Sequence, residues 1–209
     1  MDETYKSMHR YLKGINNIGD KNLAPVYIDN IVYNIDVQNK PAWHEIGVYY
    51  EYKFSEIARK EFNADVIINP AKLKNKYAPD LLVNGKETDL KTQFMPFFTA
   101  WKYGVDPKYT FTFDKKDYMY YNEKYPNVNI IVWMQHKVTE KEIYGKLMKV
   151  EYVGGVYFLP FRKVKHLIEN GAPNHIHDHR VHDTKGNAKE NYLLDINDFI
   201  LLRKLEMIE

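Results

Sequence analysis

Asn84-Gly85 separates two short runs, Leu81-Leu82-Val83 and Lys86-Glu87-Thr88-Asp89-Leu90-Lys91. An Asn-Gly pair between strand-like segments is the strongest short-range hairpin signal, because a two-residue turn that matches strand twist needs positive φ at both positions. Such a turn sets the register. Val83 faces Lys86, Leu82 faces Glu87, Leu81 faces Thr88, and one step further out Asp80 faces Asp89. Directly opposed residues on one sheet face hold their Cβ atoms about 4.5–5.5 Å apart. Two carboxylates are therefore expected side by side, with Lys91 projecting from the same face two residues beyond Asp89.

Like charges opposed on a sheet are destabilising. A divalent cation removes that penalty. Mg²⁺ prefers oxygen and is typically held by one or two carboxylates, with waters and substrate phosphate completing the shell. A neighbouring lysine can orient or deprotonate an attacking water, or balance charge on a phosphoryl group. The pattern predicts a metal-dependent phosphodiester hydrolase. The competing reading is a solvent-facing hairpin whose charges are merely solvated.

Pro79-Asp80, followed after the hairpin by Asp89-Leu90-Lys91, resembles the PD-(D/E)XK nuclease superfamily, which includes restriction endonucleases, phage exonucleases, junction resolvases and repair nucleases. The resemblance covers roughly residues 43–135. It implies an α/β, restriction-endonuclease-like core with a central mixed β-sheet flanked by helices, in the order helix, three strands, helix, strand. It also implies site roles: Asp80 and Asp89 as metal ligands, the backbone carbonyl of Leu90 completing the site, and Lys91 as the catalytic lysine. Asp89 stands where glutamate is more usual in the family. Many members carry a glutamate on the first helix as Gly-x-x-x-Glu, matched here by Gly47-Val48-Tyr49-Tyr50-Glu51. The expected cofactor is Mg²⁺, with Mn²⁺ substituting, and the expected partner is DNA, double-stranded by preference.

Trp43–Phe62 shows helical periodicity, with Ile46, Tyr50, Phe54, Ile57 and Ala58 on one stripe. Glu51 lies at its edge beside small residues, placed either to reach a sheet face or to pair on the surface with Lys53 or Ser55. Ala64–Asn69 reads as the first core strand. Pro70–Lys76 is a basic loop whose Lys72, Lys74 and Lys76 are placed for phosphate contacts or for simple solvation. Gln93 continues the alternation of Asp89 and Lys91 and is an auxiliary site residue. Tyr109–Phe113 reads as a strand, Asp114 as an N-cap, Asp114–Tyr125 as the second core helix, and Val128–Met134 as a buried central strand. Further on, Tyr144–Val150 and Val156–Pro160 read as strands separated by Gly154-Gly155. Phe161–Asn170 reads as a helix closed by Gly171, whose Arg162, Lys163 and Lys165 suit backbone contacts to nucleic acid. Tyr192–Ile196 is strand-like, and a final helix is expected from Asn197 or Asp198 to Glu209. Upstream, Met8–Ile18 suggests a short helix and Tyr27–Ile35 a strand or hairpin.

The chain's 209 residues suit one domain: an N-terminal extension (1–42), a catalytic core (43–135) and a C-terminal elaboration (136–209). There is no cysteine, no run of about 18 apolar residues and no signal-peptide hydrophobic region at the N-terminus, which points to an intracellular, cytoplasmic protein with no membrane partner. The formal charge of +2 carries no nucleic-acid argument by itself. Eighteen tyrosines and ten phenylalanines leave some to line a groove where bases stack, although most belong at the core boundary.

His175-Ile176-His177-Asp178-His179-Arg180-Val181-His182 raises a second chemistry, an HNH-like nuclease centred on histidine. A phosphate-contacting loop, or a solvated loop with no site, is the alternative. Taken together, the sequence points to a Mg²⁺-dependent deoxyribonuclease, an endonuclease of restriction, phage or repair type. A non-catalytic nucleic-acid-binding module on the same fold is the runner-up. A two-fold homodimer, common where both strands of a duplex are cut, is left open.

Overall fold

The computed structural model describes residues 10–12, 23–28, 31–36, 39–176 and 190–206. In chain order its elements are strands β1 (Leu23–Ile28) and β2 (Ile31–Asp36), helix α1 (Lys40–Phe62), strands β3 (Val66–Ile68), β4 (Leu81–Val83), β5 (Lys86–Gln93) and β6 (Thr110–Asp114), and helix α2 (Lys115–Lys124). Strands β7 (Asn129–Gln135), β8 (Glu140–Ile143), β9 (Lys146–Lys149) and β10 (Gly154–Pro160) follow. Helix α3 (Phe161–Glu169) and strands β11 (Asn174–His175), β12 (Asn191–Asp195) and β13 (Ile200–Lys204) complete the described chain.

The protein is mixed α/β, built on a six-stranded sheet in the order β13-β10-β7-β5-β4-β3. Only β5 and β7 run parallel; the other neighbours are antiparallel. A parallel pair requires a crossover. Here the crossover carries β6 and α2. Asp114 caps α2, its side chain accepting from the Lys116 N–H at 2.8 Å. Asn39 caps α1 in the same way, accepting from Ala42, and Asn63 ends it in a left-handed conformation (φ 49°).

The continuous apolar run of β7 is explained by burial on both sheet faces. Ile131 and Trp133 join the core under α1, with Phe54, Tyr50, Leu90 and the β1–β2 hairpin. Ile130, Val132 and Met134 join a second core, with Phe113, Tyr121 and Phe161 from the opposite layer. Fully burying one such phenylalanine contributes about 1.5–3 kcal/mol, so the two cores hold the sheet as a rigid partition between them. Residues of the N-terminal and C-terminal stretches share these cores: Val26, Ile28 and Tyr33 lie with α1, and Val156 packs there too.

Three expectations from periodicity fail. The final segment forms β13, an edge strand pairing antiparallel with β10, where a helix was expected. Tyr144 is a turn residue (φ 52°) followed by Gly145, and it joins β8 to β9. Gly154 and Gly155 lie inside β10 and do not precede it. A Cβ on Gly154 would run into the Tyr152 hydroxyl and come 2.5 Å from the carbonyl oxygen of Leu205, so close approach at the start of β10 accounts for that glycine. Of the expected helix Met8–Ile18, only residues 10–12 are described, and those are helical. Among the described residues no helix is long and apolar enough to cross a membrane.

Candidate active site

The Asn84-Gly85 turn forms as expected, with φ of 49° and 75°. The register is the one the turn dictates: Val83↔Lys86, Leu82↔Glu87 and Leu81↔Thr88. Asp80 lies one residue outside the ladder, so the expected Asp80↔Asp89 strand pair does not form. Its backbone carbonyl accepts from Asn69 (2.9 Å), and its side chain reaches across to β5, where Oδ2 accepts the Leu90 N–H at 3.0 Å. Asp80 therefore sits at the strand end, where the two faces of the sheet meet.

On the α2 face, Asp89 and Lys91 emerge from β5 two residues apart. Asp89 is buried, only 3 % exposed. The Lys91 ammonium is 2.9 Å from its Oδ2, which nevertheless makes no hydrogen bond. Lys91 also contacts Asp117 of α2 at 2.5 Å and lies 5.7 Å from the centre of the Tyr121 ring. Asp80, Asp89, Lys91, Asp117 and Tyr121 share one cleft of about 350 Å³.

On the α1 face, Lys72 reaches in from the short helical turn Pro70–Leu73. Its ammonium donates to Glu51 Oε1 at 2.9 Å and to Asp80 Oδ1 at 2.6 Å. Glu51 is buried on α1 and projects into a larger groove of about 1110 Å³, whose walls include Trp43, Tyr52, Leu73 and Tyr77. Asp80, Lys76 and Tyr77 line both hollows, so the two meet at Asp80.

Burial pushes the Asp89 carboxyl above the usual range; Lys91 opposes that shift and Asp80 adds to it. Burial likewise raises Glu51 against the pull of Lys72. Burial alone would lower Lys91, but Asp89, Tyr121, Asp117 and Asp80 outweigh it, and its pKa stands well above the ordinary lysine value. Asp89 and Lys91 shift in the same direction because the lysine sees several anions, whereas desolvation dominates at the buried acid. Lys72 is raised too, with Asp80 and Glu51 overcoming burial. Burial also raises the Tyr121 hydroxyl, with Asp89 and Asp117 adding to the shift and Lys91 opposing it.

Four carboxyls (Glu51, Asp80, Asp89 and Asp117) thus interleave with two ammoniums (Lys72 and Lys91). With all six ionised, these groups carry a net charge of −2, and Lys76 and Lys116 line the same cleft. All the acidic donors are hard oxygens, the type Mg²⁺ and Mn²⁺ accept. Among the described residues, however, no three acids close directly into a ligand set; Lys72 stands between Glu51 and Asp80.

Of the other sequence-derived site residues, Leu90 donates its N–H to Asp80, whereas the resemblance assigned its carbonyl. Gln93 stays outside both hollows: its amide donates to the Thr110 carbonyl at 2.8 Å and accepts from the Thr112 N–H at 3.0 Å, tying β5 to β6. Within the basic loop, Lys76 lines the site and Lys74 is exposed. Arg162 lines a separate groove with Lys86, Glu87 and Asn127, away from the acids. On the same helix, Lys163 is exposed and Lys165 donates to Asn122 at 2.8 Å. Of the histidine segment, residues 177–182 lie outside the described residues, and His175 meets the Tyr103 hydroxyl through Nδ1 at 2.5 Å.

Sequence reasoning did not find Asp117 and Tyr121. They are four residues apart on α2, hence on one face, but nothing local says that this face turns toward β5. No protein-family model, curated protein or solved structure matches the chain.

Proposed function

We propose that this protein is a divalent-cation-dependent nuclease that hydrolyses phosphodiester bonds, with DNA as its substrate, on a core of the restriction-endonuclease-like type. One observation carries the reading: the carboxyls of Glu51, Asp80, Asp89 and Asp117 gather around the end of the β4–β5 hairpin, Glu51 and Asp89 buried, with a charged lysine beside them. The order α1, β3, the β4–β5 hairpin, β6, α2, β7 supports it, as do two acids and a lysine in the spacing Pro-Asp…Asp-x-Lys.

Asp80 and Asp89 would hold the cation, with Glu51 supporting it. When bound, Mg²⁺ supplies neutralisation of phosphate charge and a water of lowered pKa. The remaining work falls to the chain. Lys91 is held charged by Asp89 and Asp117, so it acts as a fixed positive donor to the phosphate oxygens, where charge builds in the transition state. A lysine raised in this way is a poor proton acceptor near neutrality, which narrows its role to charge stabilisation. Asp117 and Tyr121 position the Lys91–Asp89 pair. The two hollows meeting at Asp80 offer room for the strand on either side of the scissile phosphate, and Lys76 and Lys116 line the smaller one for backbone contact.

The test is incubation with plasmid, linear and single-stranded DNA, and with RNA, in Mg²⁺, Mn²⁺ or chelator. Cleavage of DNA that requires the cation and disappears in folded Asp80→Ala and Lys91→Ala variants is the expected result. Tight binding without turnover across the panel would replace the reading with a non-catalytic binding module.

A further inference from the structure

We infer that Lys72 is a built-in occupant of the cation position: its ammonium closes the site between Glu51 and Asp80, and a divalent cation loads by displacing it. This rests on the cation-dependent reading above and adds a form of regulation to the same site.

The ammonium lies 2.9 Å from one carboxylate and 2.6 Å from the other, the separations of a cation shared by two acids. Both acids come from different elements, α1 and the strand end before β4, so their convergence on one point is a tertiary feature. Lys72 itself comes from a third element, the three-ten turn Pro70–Leu73, of which no residue is buried. That turn is an anchor of low cost to move: Leu73 beside Lys72 is 91 % exposed, and Ala71 and Lys74 are exposed as well. The acids are fixed by contrast. Glu51 sits in the middle of a 23-residue helix, and Asp80 is pinned through both its carbonyl and its Oδ2. An ammonium carried on an exposed turn, between acids fixed by helix and strand, is a reversible plug. On the opposite side, Asp89 Oδ2 is ion-paired with Lys91 at 2.9 Å, so that acid already has its own ammonium. Releasing Lys72 would also add a free cation to the groove beside the reacting phosphate.

The consequence is a competition. Apparent cation affinity is the intrinsic affinity reduced by the fraction of molecules with the plug withdrawn. Titration calorimetry with MnCl₂ and MgCl₂, without nucleic acid, compares the wild type, Lys72→Met and Lys76→Met. Methionine keeps the length and removes the ammonium. Lys72→Met should bind Mn²⁺ about ten-fold tighter or more, and its metal-free melting temperature should fall while the gain on adding Mn²⁺ grows. Lys76→Met removes a nearby charge without unplugging the acids and should change affinity only a few-fold. Equal effects of the two substitutions, or no effect of Lys72→Met, would overturn the plug.

Lysine acylation followed by mass spectrometry tests displacement on the unmodified protein, whatever the folding of the variants. Lys72 should label slowly without cation and faster with Mn²⁺, with exposed Lys74 unchanged as reference; Lys72 labelling indifferent to Mn²⁺ would overturn the inference. The two readings fail separately. Cation binding that depends on Lys72 without cleavage of any nucleic acid leaves the plug standing and removes the nuclease. Cation-dependent cleavage with Lys72-independent binding does the reverse, and no cation binding by wild type or Lys72→Met removes both.

Discussion

Among the described residues, two hairpins share the same turn conformation and meet opposite fates. Asn84-Gly85 and Tyr144-Gly145 both turn with two positive φ values, 49° and 75° in the first, 52° and 74° in the second. Both carry alternating charges. In β8–β9 those charges are solvated: Glu140 and Lys149 pair at 2.6 Å with side chains 50 % and 67 % exposed. In β4–β5, Asp89 is 3 % exposed and in ion-pair contact with Lys91. The difference lies in the neighbours, not the ribbon. The β8–β9 pair forms a sheet of its own, whereas β4–β5 is built into the six-stranded sheet with α1 and α2 on either side. An exposed charge pair adds little to stability, but a buried carboxylate without full compensation costs free energy and is retained where it has work to do.

The sharpest way to break this contrast is through activity. Lys91→Ala and Asp80→Ala should each lower cation-dependent cleavage by about 10³-fold, equivalent to roughly 4 kcal/mol of barrier. Glu140→Ala and Lys149→Ala should leave the rate unchanged. A nuclease assay with circular dichroism on each variant reads both halves, and retained cleavage in Lys91→Ala would end the distinction.

A smaller effect separates stability from function at Asp89. Its folded pKa is raised above the ordinary 3.8, so its contribution to stability is complete below that value and is lost as pH rises through the folded pKa. Asp89→Asn should therefore melt higher than wild type in chelator near neutral pH, by a few degrees (about 2–4 °C per kcal/mol at this length). The gap should close as pH falls toward 4, and cleavage should be lost throughout. A melting temperature that drops at neutral pH would mean the carboxylate is a net stabiliser.

The turn glycines offer a finer comparison. A Cβ meets nothing within 4 Å at Gly85 or Gly145, so only the positive φ penalises alanine there, by about 1 kcal/mol each. Denaturant unfolding should show similar losses for the two alanine variants. Only Gly85→Ala should also reduce cleavage, because only that turn sets the relation of Asp80 to Asp89. The smallest expected effect is at the solvated pair: Glu140→Gln should alter unfolding free energy by no more than about 0.5 kcal/mol, less still in high salt.

Legibility from sequence followed the range of the forces involved. Turn chemistry and strand register act over a few residues, and Val83↔Lys86 through Leu81↔Thr88 formed as the Asn-Gly pair required. The Asp114 cap and the doubly buried β7 belong to the same short range. Ile200–Lys204 was misjudged because a short apolar run fits either period; pairing with β10 decides it. Gln93 followed the alternation of Asp89 and Lys91, but its amide was claimed by β6, a partner brought in from 17 residues away. Lys72 reads as part of a basic loop placed for phosphate contacts or for solvation, and no local signal indicates that it bridges Glu51 and Asp80.

What the amino-acid order determined alone is the hairpin, its register, and hence that Asp89 and Lys91 point the same way beyond Asp80. These follow from backbone sterics and the two-residue repeat of a strand. Whether those charges would meet water or each other was decided only when α1 and α2 closed over opposite faces of the sheet. Desolvation depends on which distant atoms exclude the solvent, and that information is spread over the whole chain.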